Sequence, residues 1–304
     1  MRKEFSRTIE KIASDNKKII FLTGDLGFMA LENIRSAIKE RFINVGVSEQ
    51  NMISVAAGLA SQGLIPVCYS IAPFAVFRPA EQTRIDVCLH DLNVKIVGNG
   101  GGYGYGIMGA THHAIEDISI MSSFQNMKCY IPFCNEEVGV IVKKMMERVG
   151  PSYLRLGTGL KPLWLKLPEY SHTRKLMSGK KATKATIVGM GPIILNVFKA
   201  LENKPELKKD IDLFVISEIP IPGLTLELRA SIKKTKKLIV LEEQVSRGGL
   251  AENLSLILLK NKIFCKLEHL CALGYPNGLY GSQTYHQKIS KLDPGSILNV
   301  LRKI

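Results

Sequence analysis

Ile19-Ile20-Phe21-Leu22-Thr23-Gly24 is the stretch on which the reading of the fold turns. Four apolar residues and a threonine run without interruption into the turn Gly24-Asp25-Leu26-Gly27. That is the pattern of a strand covered on both faces. Residues 30–42 then repeat their apolar side chains at helical spacing, and residues 51–63 do so again before Gly63 ends the run. Outward from there the alternation continues. LIPVCYS (64–70), VKIVGNG (94–100), MKCYIP (127–132) and SYLRLG (152–157) read as strands, with helical segments at 75–91, 113–124 and 135–148. Strands that alternate with helices imply βαβ units and a mainly parallel sheet.

The alternation breaks where Gly157, Gly159, Pro162, Pro168 and Gly179 fall among scattered charges. It resumes with ATIVGMG (185–191), DLFVIS (212–217) and KLIVLEE (237–243), followed by helical patterns at 248–260 and 283–303. The expected organisation is an α/β domain over 1–157, a linker over 158–183 and a second α/β domain over 184–304. Each would carry a mainly parallel sheet flanked by helices.

Composition narrows the class. Hydrophobic residues make up 46% of the 304 and charged residues 22%, the balance of a globular chain. No apolar run approaches ~18 residues, so no membrane span is expected. MRKEFSRTIEKIASD (1–15) lacks an apolar stretch after its basic start and reads as a helix, which points to the cytoplasm. The six cysteines show no CxxC spacing and read as reduced core thiols. The net charge of +14 sits mostly in residues 157–304, which hold 24 Lys and Arg against 12 Asp and Glu. No aromatic residues are interleaved with these lysines, so they read as a solvated surface and not as a nucleic-acid patch.

Chemistry concentrates in three segments. Asn44-Val45-Gly46-Val47-Ser48-Glu49-Gln50-Asn51-Met52 places one carboxylate, Glu49, just ahead of a helix rich in small residues. A glutamate there also has a plain reading, as a residue that caps the helix and favours the positive end of its dipole. Ser70-Ile71-Ala72-Pro73-Phe74-Ala75-Val76-Phe77-Arg78 follows. Then comes a glycine-rich run, Gly98 to Gly106, closing in Gly109-Ala110-Thr111-His112-His113-Ala114-Ile115-Glu116-Asp117. In this order the three segments resemble the pyrimidine-binding domain of transketolases, and residues 184–304, with LEEQVSRGGLAENL and YGSQTY, resemble the C-terminal domain that follows it.

The resemblance implies a thiamine diphosphate enzyme that transfers a two-carbon ketol unit between sugars. Glu49 matches the glutamate that hydrogen-bonds the aminopyrimidine and activates the cofactor, and Phe74 and Phe77 match the aromatic pair that packs against it. His112 matches the histidine that meets the substrate's oxygens. Arg155 falls where the family often binds phosphate, and Asp25 at an acidic position near the cofactor. Two positions depart from the pattern. Gly100 stands where a histidine usually helps to bind sugar phosphate, and Met108 where an aspartate usually reads a substrate hydroxyl. Both bear on substrate choice.

The family's Gly-Asp-Gly…Asn motif for Mg²⁺ and diphosphate is not matched, because Gly24-Asp25 is followed by Leu26 and Asn51 lies inside the activating segment. The resemblance therefore implies a separate diphosphate-binding partner that holds Mg²⁺, in an α2β2 heterotetramer. Alternative readings are the beta subunit of a 2-oxoacid dehydrogenase, a 1-deoxyxylulose-5-phosphate synthase-like enzyme, or a non-catalytic scaffold derived from the family.

Overall fold

Residues 1–303 are described by the computed structural model. The first half runs through α1 (Arg2–Asp15), β1 (Ile19–Thr23), α2 (Glu32–Ile38), β2 (Phe42–Asn44), α3 (Glu49–Ser61) and β3 (Ile65–Ile71). It continues through α4 (Ala72–Val76), α5 (Ala80–Gln82), β4 (Lys95–Asn99), α6 (Asp117–Ser123), β5 (Lys128–Tyr130), α7 (Val138–Glu147) and β6 (Ser152–Leu156). The second half holds β7 (Thr173–Ser178), β8 (Ala185–Met190), α8 (Leu195–Glu202), β9 (Ile211–Ile216), β10 (Glu218–Ile219) and α9 (Leu226–Thr235). β11 (Lys237–Glu242), α10 (Leu250–Lys260), β12 (Lys266–Leu270), α11 (Gln283–Ile289) and α12 (Pro294–Arg302) complete it.

Among the described residues the strands form one sheet in the order β10-β5-β6-β4-β3-β1-β2 and another in the order β12-β11-β8-β9-β7. Every neighbouring pair is parallel except β10 with β5 and β7 with β9. The expected pair of mainly parallel α/β domains is therefore what the chain builds.

β1 shows why these residues form this sheet. Its side chains alternate between the two faces. Ile19 and Phe21 join Phe5 and Ile9 of α1, while Ile20 and Leu22 join Met52 and Ile53 of α3. A strand clamped between two helix layers needs apolar residues at every position, which is the uninterrupted run that the sequence shows. The α3-side core does not stop at the domain edge. It continues through Val188, Phe214 and Val240 of the second sheet, so one face of each sheet lies in a single apolar cluster.

Four elements differ from expectation. The helix expected over 30–42 ends at Ile38, and Phe42 instead enters the sheet in β2, its ring stacked on Phe21 at 5.3 Å. The helix expected over 75–91 is interrupted at Pro79, which has no N–H to continue the ladder. The helix expected over 283–303 divides into α11 and α12, where Asp293 caps the N–H groups of Gly295 and Ser296. The expected linker, 158–183, contains β7, an edge strand of the second sheet. Its charges read as loop residues, but Arg174 is buried against Glu137 and Lys175 pairs with Asp212 at 3.4 Å. Ion pairing across the fold hides them, which no local pattern reports.

Arg174 also donates to Ser217, and Glu137 takes the N–H of Phe133 at 2.9 Å, so this network ties the two domains together. Burial pushes the Glu137 carboxyl up, and the Arg174 guanidinium opposes that shift. Arg174→Leu should therefore cost about 3–5 kcal/mol of stability, the usual loss when one partner of a buried pair is removed. Urea unfolding measures it. A loss under about 0.5 kcal/mol would mean the pair does not hold the domains.

Candidate active site

The C-terminal ends of β1, β2, β3, β4 and β6 point to one rim of the first sheet, where open parallel sheets place their ligands. Glu49 is delivered there as the first residue of α3 and is buried. Its carboxylate does not cap the helix. Ser70 Oγ, at the end of β3, donates to Oε1 at 3.0 Å, and Arg78 Nη1 donates to Oε2 at 2.8 Å. The capping role open to a glutamate at this position is thus not the one its side chain takes.

Beside it, the half-buried Phe74 ring lies under the Arg78 guanidinium, 3.8 Å from carbon to centroid, and meets the edge of His112 at 5.2 Å. Phe77 turns the other way and packs against the main core. Asp25 is exposed, at φ 56°, with Asn44 donating to its Oδ1 at 2.9 Å. Glu49, Phe74, His112 and Arg78 are the residues that the fold brings together.

The two adjacent histidines separate cleanly. His113 is buried, its Nε2 donating to Gly106 O at 2.7 Å and its Nδ1 taking the Tyr275 hydroxyl at 2.8 Å. Burial lowers its pKa, so it sits as a neutral ring that pins the loop. His112 is only half-buried and bonds through Nδ1 to Thr111 Oγ1 at 2.9 Å. Among the described residues its Nε2 has no hydrogen-bond partner.

The Gly98–Gly109 run is a packing device. Gly100 has φ +80°, and a Cβ there would lie 2.0 Å from the Tyr105 ring. Tyr105 therefore fills the space over Gly100, its hydroxyl accepting from Asn99 Nδ2 at 2.9 Å and its ring 5.8 Å from His112. Met108 stands half-exposed farther along the same loop. The second domain grips this loop from outside, with Tyr103 stacked on His286 at 4.9 Å and bonded to Gly274 and Ser290.

Residues 1–162, more than half of the chain, match the family described as transketolase, pyrimidine binding domain. The chain belongs to the transketolase family. It is 31% identical over 270 residues to one of the subunits of the apulose-4-phosphate transketolase of Actinobacillus succinogenes, covering 86% of this chain and 84% of that one. It is 29% identical over 307 residues to the 1-deoxy-D-xylulose-5-phosphate synthase of Clostridium perfringens, covering 98% of this chain but 48% of the synthase. A solved structure described as a split gene transketolase, inactive beta4 tetramer, superposes with a TM-score of 0.83 at 26% identity, covering 99% and 97% of the two chains. In domain content the chain corresponds to the smaller subunit of a split transketolase.

Arg155 requires a correction. Its place in the sequence suits a phosphate clamp, yet it is buried and its guanidinium is engaged by the protein. Nη2 donates to Ala114 O at 3.1 Å and Glu243 O at 2.8 Å, Nη1 donates to Gln244 Oε1 at 3.2 Å, and the Asp117 carboxylate lies at 3.5 Å. Local sequence does not report this because those partners lie 38–89 positions away. Ser70, Arg78 and Tyr105 also escape a sequence reading of the site, although the first two lie in the segment around Phe74. The signal for Tyr105 is its company, a bulky ring five positions from an unusual glycine at 100.

Arg155→Met should therefore lower stability by about 3–5 kcal/mol, because it strands the buried Asp117 carboxylate. A free phosphate clamp would behave in the opposite way, raising a substrate KM while leaving the urea midpoint unmoved.

Proposed function

We propose that this chain is the small subunit of a heteromeric transketolase that moves a two-carbon ketol unit from a ketose donor to an aldose acceptor. One observation carries the reading above the others. A buried carboxylate, one oxygen held by Ser70, directs its other oxygen at a planar cation stacked on Phe74, beside His112. The pocket thus accepts a flat, nitrogen-rich, hydrogen-bond-donating group, and the aminopyrimidine of thiamine diphosphate fits that description.

Glu49 would bond the ring nitrogen and exchange its proton, Phe74 would pack the ring, and Phe77 would back that wall from the core. Thiamine diphosphate, when bound, supplies a carbon nucleophile that stabilises negative charge on the transferred unit. As the donor's C2–C3 bond breaks, the C3 hydroxyl gives up its proton and C3 leaves as an aldehyde; the acceptor's aldehyde oxygen gains a proton as the new C–C bond forms. His112, with Nδ1 fixed by Thr111, would take and return that proton.

Mg²⁺ and the diphosphate would be held by a partner subunit. Gly24-Asp25-Leu26 does not complete the Gly-Asp-Gly…Asn pattern on which such a site is built. Exposed Phe28, Met29, Val47 and Ile107 sit on the loops after β1, β2 and β4, around the same rim, and would be covered by that partner. Asp25, on the first of these loops, would lie near the cofactor's charged end.

Glu49→Gln in the assembled enzyme should cut turnover by roughly 100-fold or more, the scale of a lost acid–base group. Circular dichroism should show the fold unchanged. Turnover within a factor of two of the parent would remove Glu49 from the chemistry.

The wall beside His112 bears on the donor. Where a cationic imidazole would favour phosphate, this chain has the Tyr105 ring over Gly100, and Met108 adds an apolar side chain farther along the loop. A charge-assisted contact to phosphate contributes about 1.5–3 kcal/mol, so its absence is felt. Xylulose 5-phosphate and fructose 6-phosphate should be poor donors, and a deoxy or otherwise modified ketose should be better. Steady-state kinetics decides this, and a kcat/KM of about 10⁴ M⁻¹s⁻¹ or above on either sugar phosphate would refute it.

A further inference from the structure

Arg78 occupies both contacts that make the Glu49 pocket a pocket. Its Nη1 holds Glu49 Oε2 at 2.8 Å, and its guanidinium covers Phe74 at 3.8 Å. A guanidinium is flat, delocalised and edged with N–H donors, so it presents the same features to Glu49 and Phe74 that an aminopyrimidine would. Glu49 Oε1 is already held by Ser70, and the Phe74 and His112 rings meet in a T-shaped contact at 5.2 Å. A ring that bonds Glu49 Oε2 and stacks on Phe74 where the guanidinium does must therefore take the place of Arg78.

The two partners differ in freedom. The Glu49 side chain is 1% exposed, whereas the Arg78 side chain is 43% exposed and follows the short α4. The pocket beside them is about 420 Å³, open to solvent, and lined by Val47, Ser48, Glu49, Gln50 and Arg78. A buried carboxylate without a partner is strongly disfavoured. Arg78 therefore has a reason to be where it is in the separate chain, and room to leave.

We infer that Arg78 is a displaceable placeholder. It neutralises Glu49 and covers Phe74 in the unloaded chain, and it swings into solvent when the cofactor's ring arrives. The inference rests on the thiamine reading above. Uptake of the cofactor then competes with an internal ion pair, so affinity for thiamine diphosphate is set partly by how firmly Arg78 is held. The same contact protects the free subunit from carrying an unpaired buried charge.

The experiment is calorimetric titration of the assembled complex with thiamine diphosphate and Mg²⁺, for the parent, Arg78→Ala, Glu49→Gln and the double variant, together with melting of each free subunit. Arg78→Ala should bind the cofactor roughly ten-fold more tightly while its free subunit melts at a lower temperature. In the Glu49→Gln background the same substitution should change affinity little, because the competing ion pair is already gone. Weaker or unchanged binding by Arg78→Ala, with the parent binding normally, overturns the placeholder: Arg78 would then contact the bound cofactor or stand aside from it. If the complex assembles but neither parent nor variant takes up thiamine diphosphate, the thiamine reading fails and the inference falls with it.

Discussion

The Arg155 guanidinium sits where the first sheet, the glycine-rich loop and the second domain meet, and the charge must be matched because it is buried. Asp117 of α6 supplies the counter-charge, and the carbonyls of Ala114 and Glu243 accept its N–H groups. Through Ala114 it fixes the foot of the loop that carries His112. Through Glu243 and Gln244 it fixes the end of β11. Gly101 lets this happen, since a Cβ there would lie 2.0 Å from Arg155 Nε. The loop is thus built against a charge centre, and His112 stands beside Phe74 because the second domain is docked.

The same logic assigns the two histidines. His113 and Tyr103 are pressed into Tyr275 and His286 from the second domain, which turns one side of the loop into interior. The other side stays partly exposed, and it carries His112. Glu243 reinforces this clamp by accepting from Gln283 and Gln287 of α11, at 3.1 and 3.0 Å. Burial raises its carboxyl pKa, and those two donors moderate the shift. Among the described residues the C-terminal domain contributes no side chain to the lining of the Glu49 pocket; what it supplies is the position of the loop.

At that pocket, burial sets stability against readiness. In the proposed function Glu49 serves a cofactor because it is desolvated, and for the same reason it is costly to leave without a partner. Ser70 fixes one oxygen from a rigid strand. Arg78 holds the other from a partly solvated position, which is the arrangement a site needs if one of its contacts is to be exchanged.

Most of the architecture was legible because it is written in local periodicity. The unbroken apolar runs at 19–23 and 185–190 named buried parallel strands, and the order of the Glu49, Phe74 and His112 segments named the family. The sequence by itself determined the alternation of strand and helix, the two-domain plan and the family. It did not determine β7, whose Arg174 and Lys175 read as loop until Glu137 and Asp212 neutralise them. Nor did it determine that Arg155 braces the fold, that His113 differs from its neighbour, or that Tyr105 closes over Gly100. Only the tertiary structure decided these, because the burial and pairing of a charged or aromatic side chain depend on partners brought close by folding, and spacing along the chain carries no record of them.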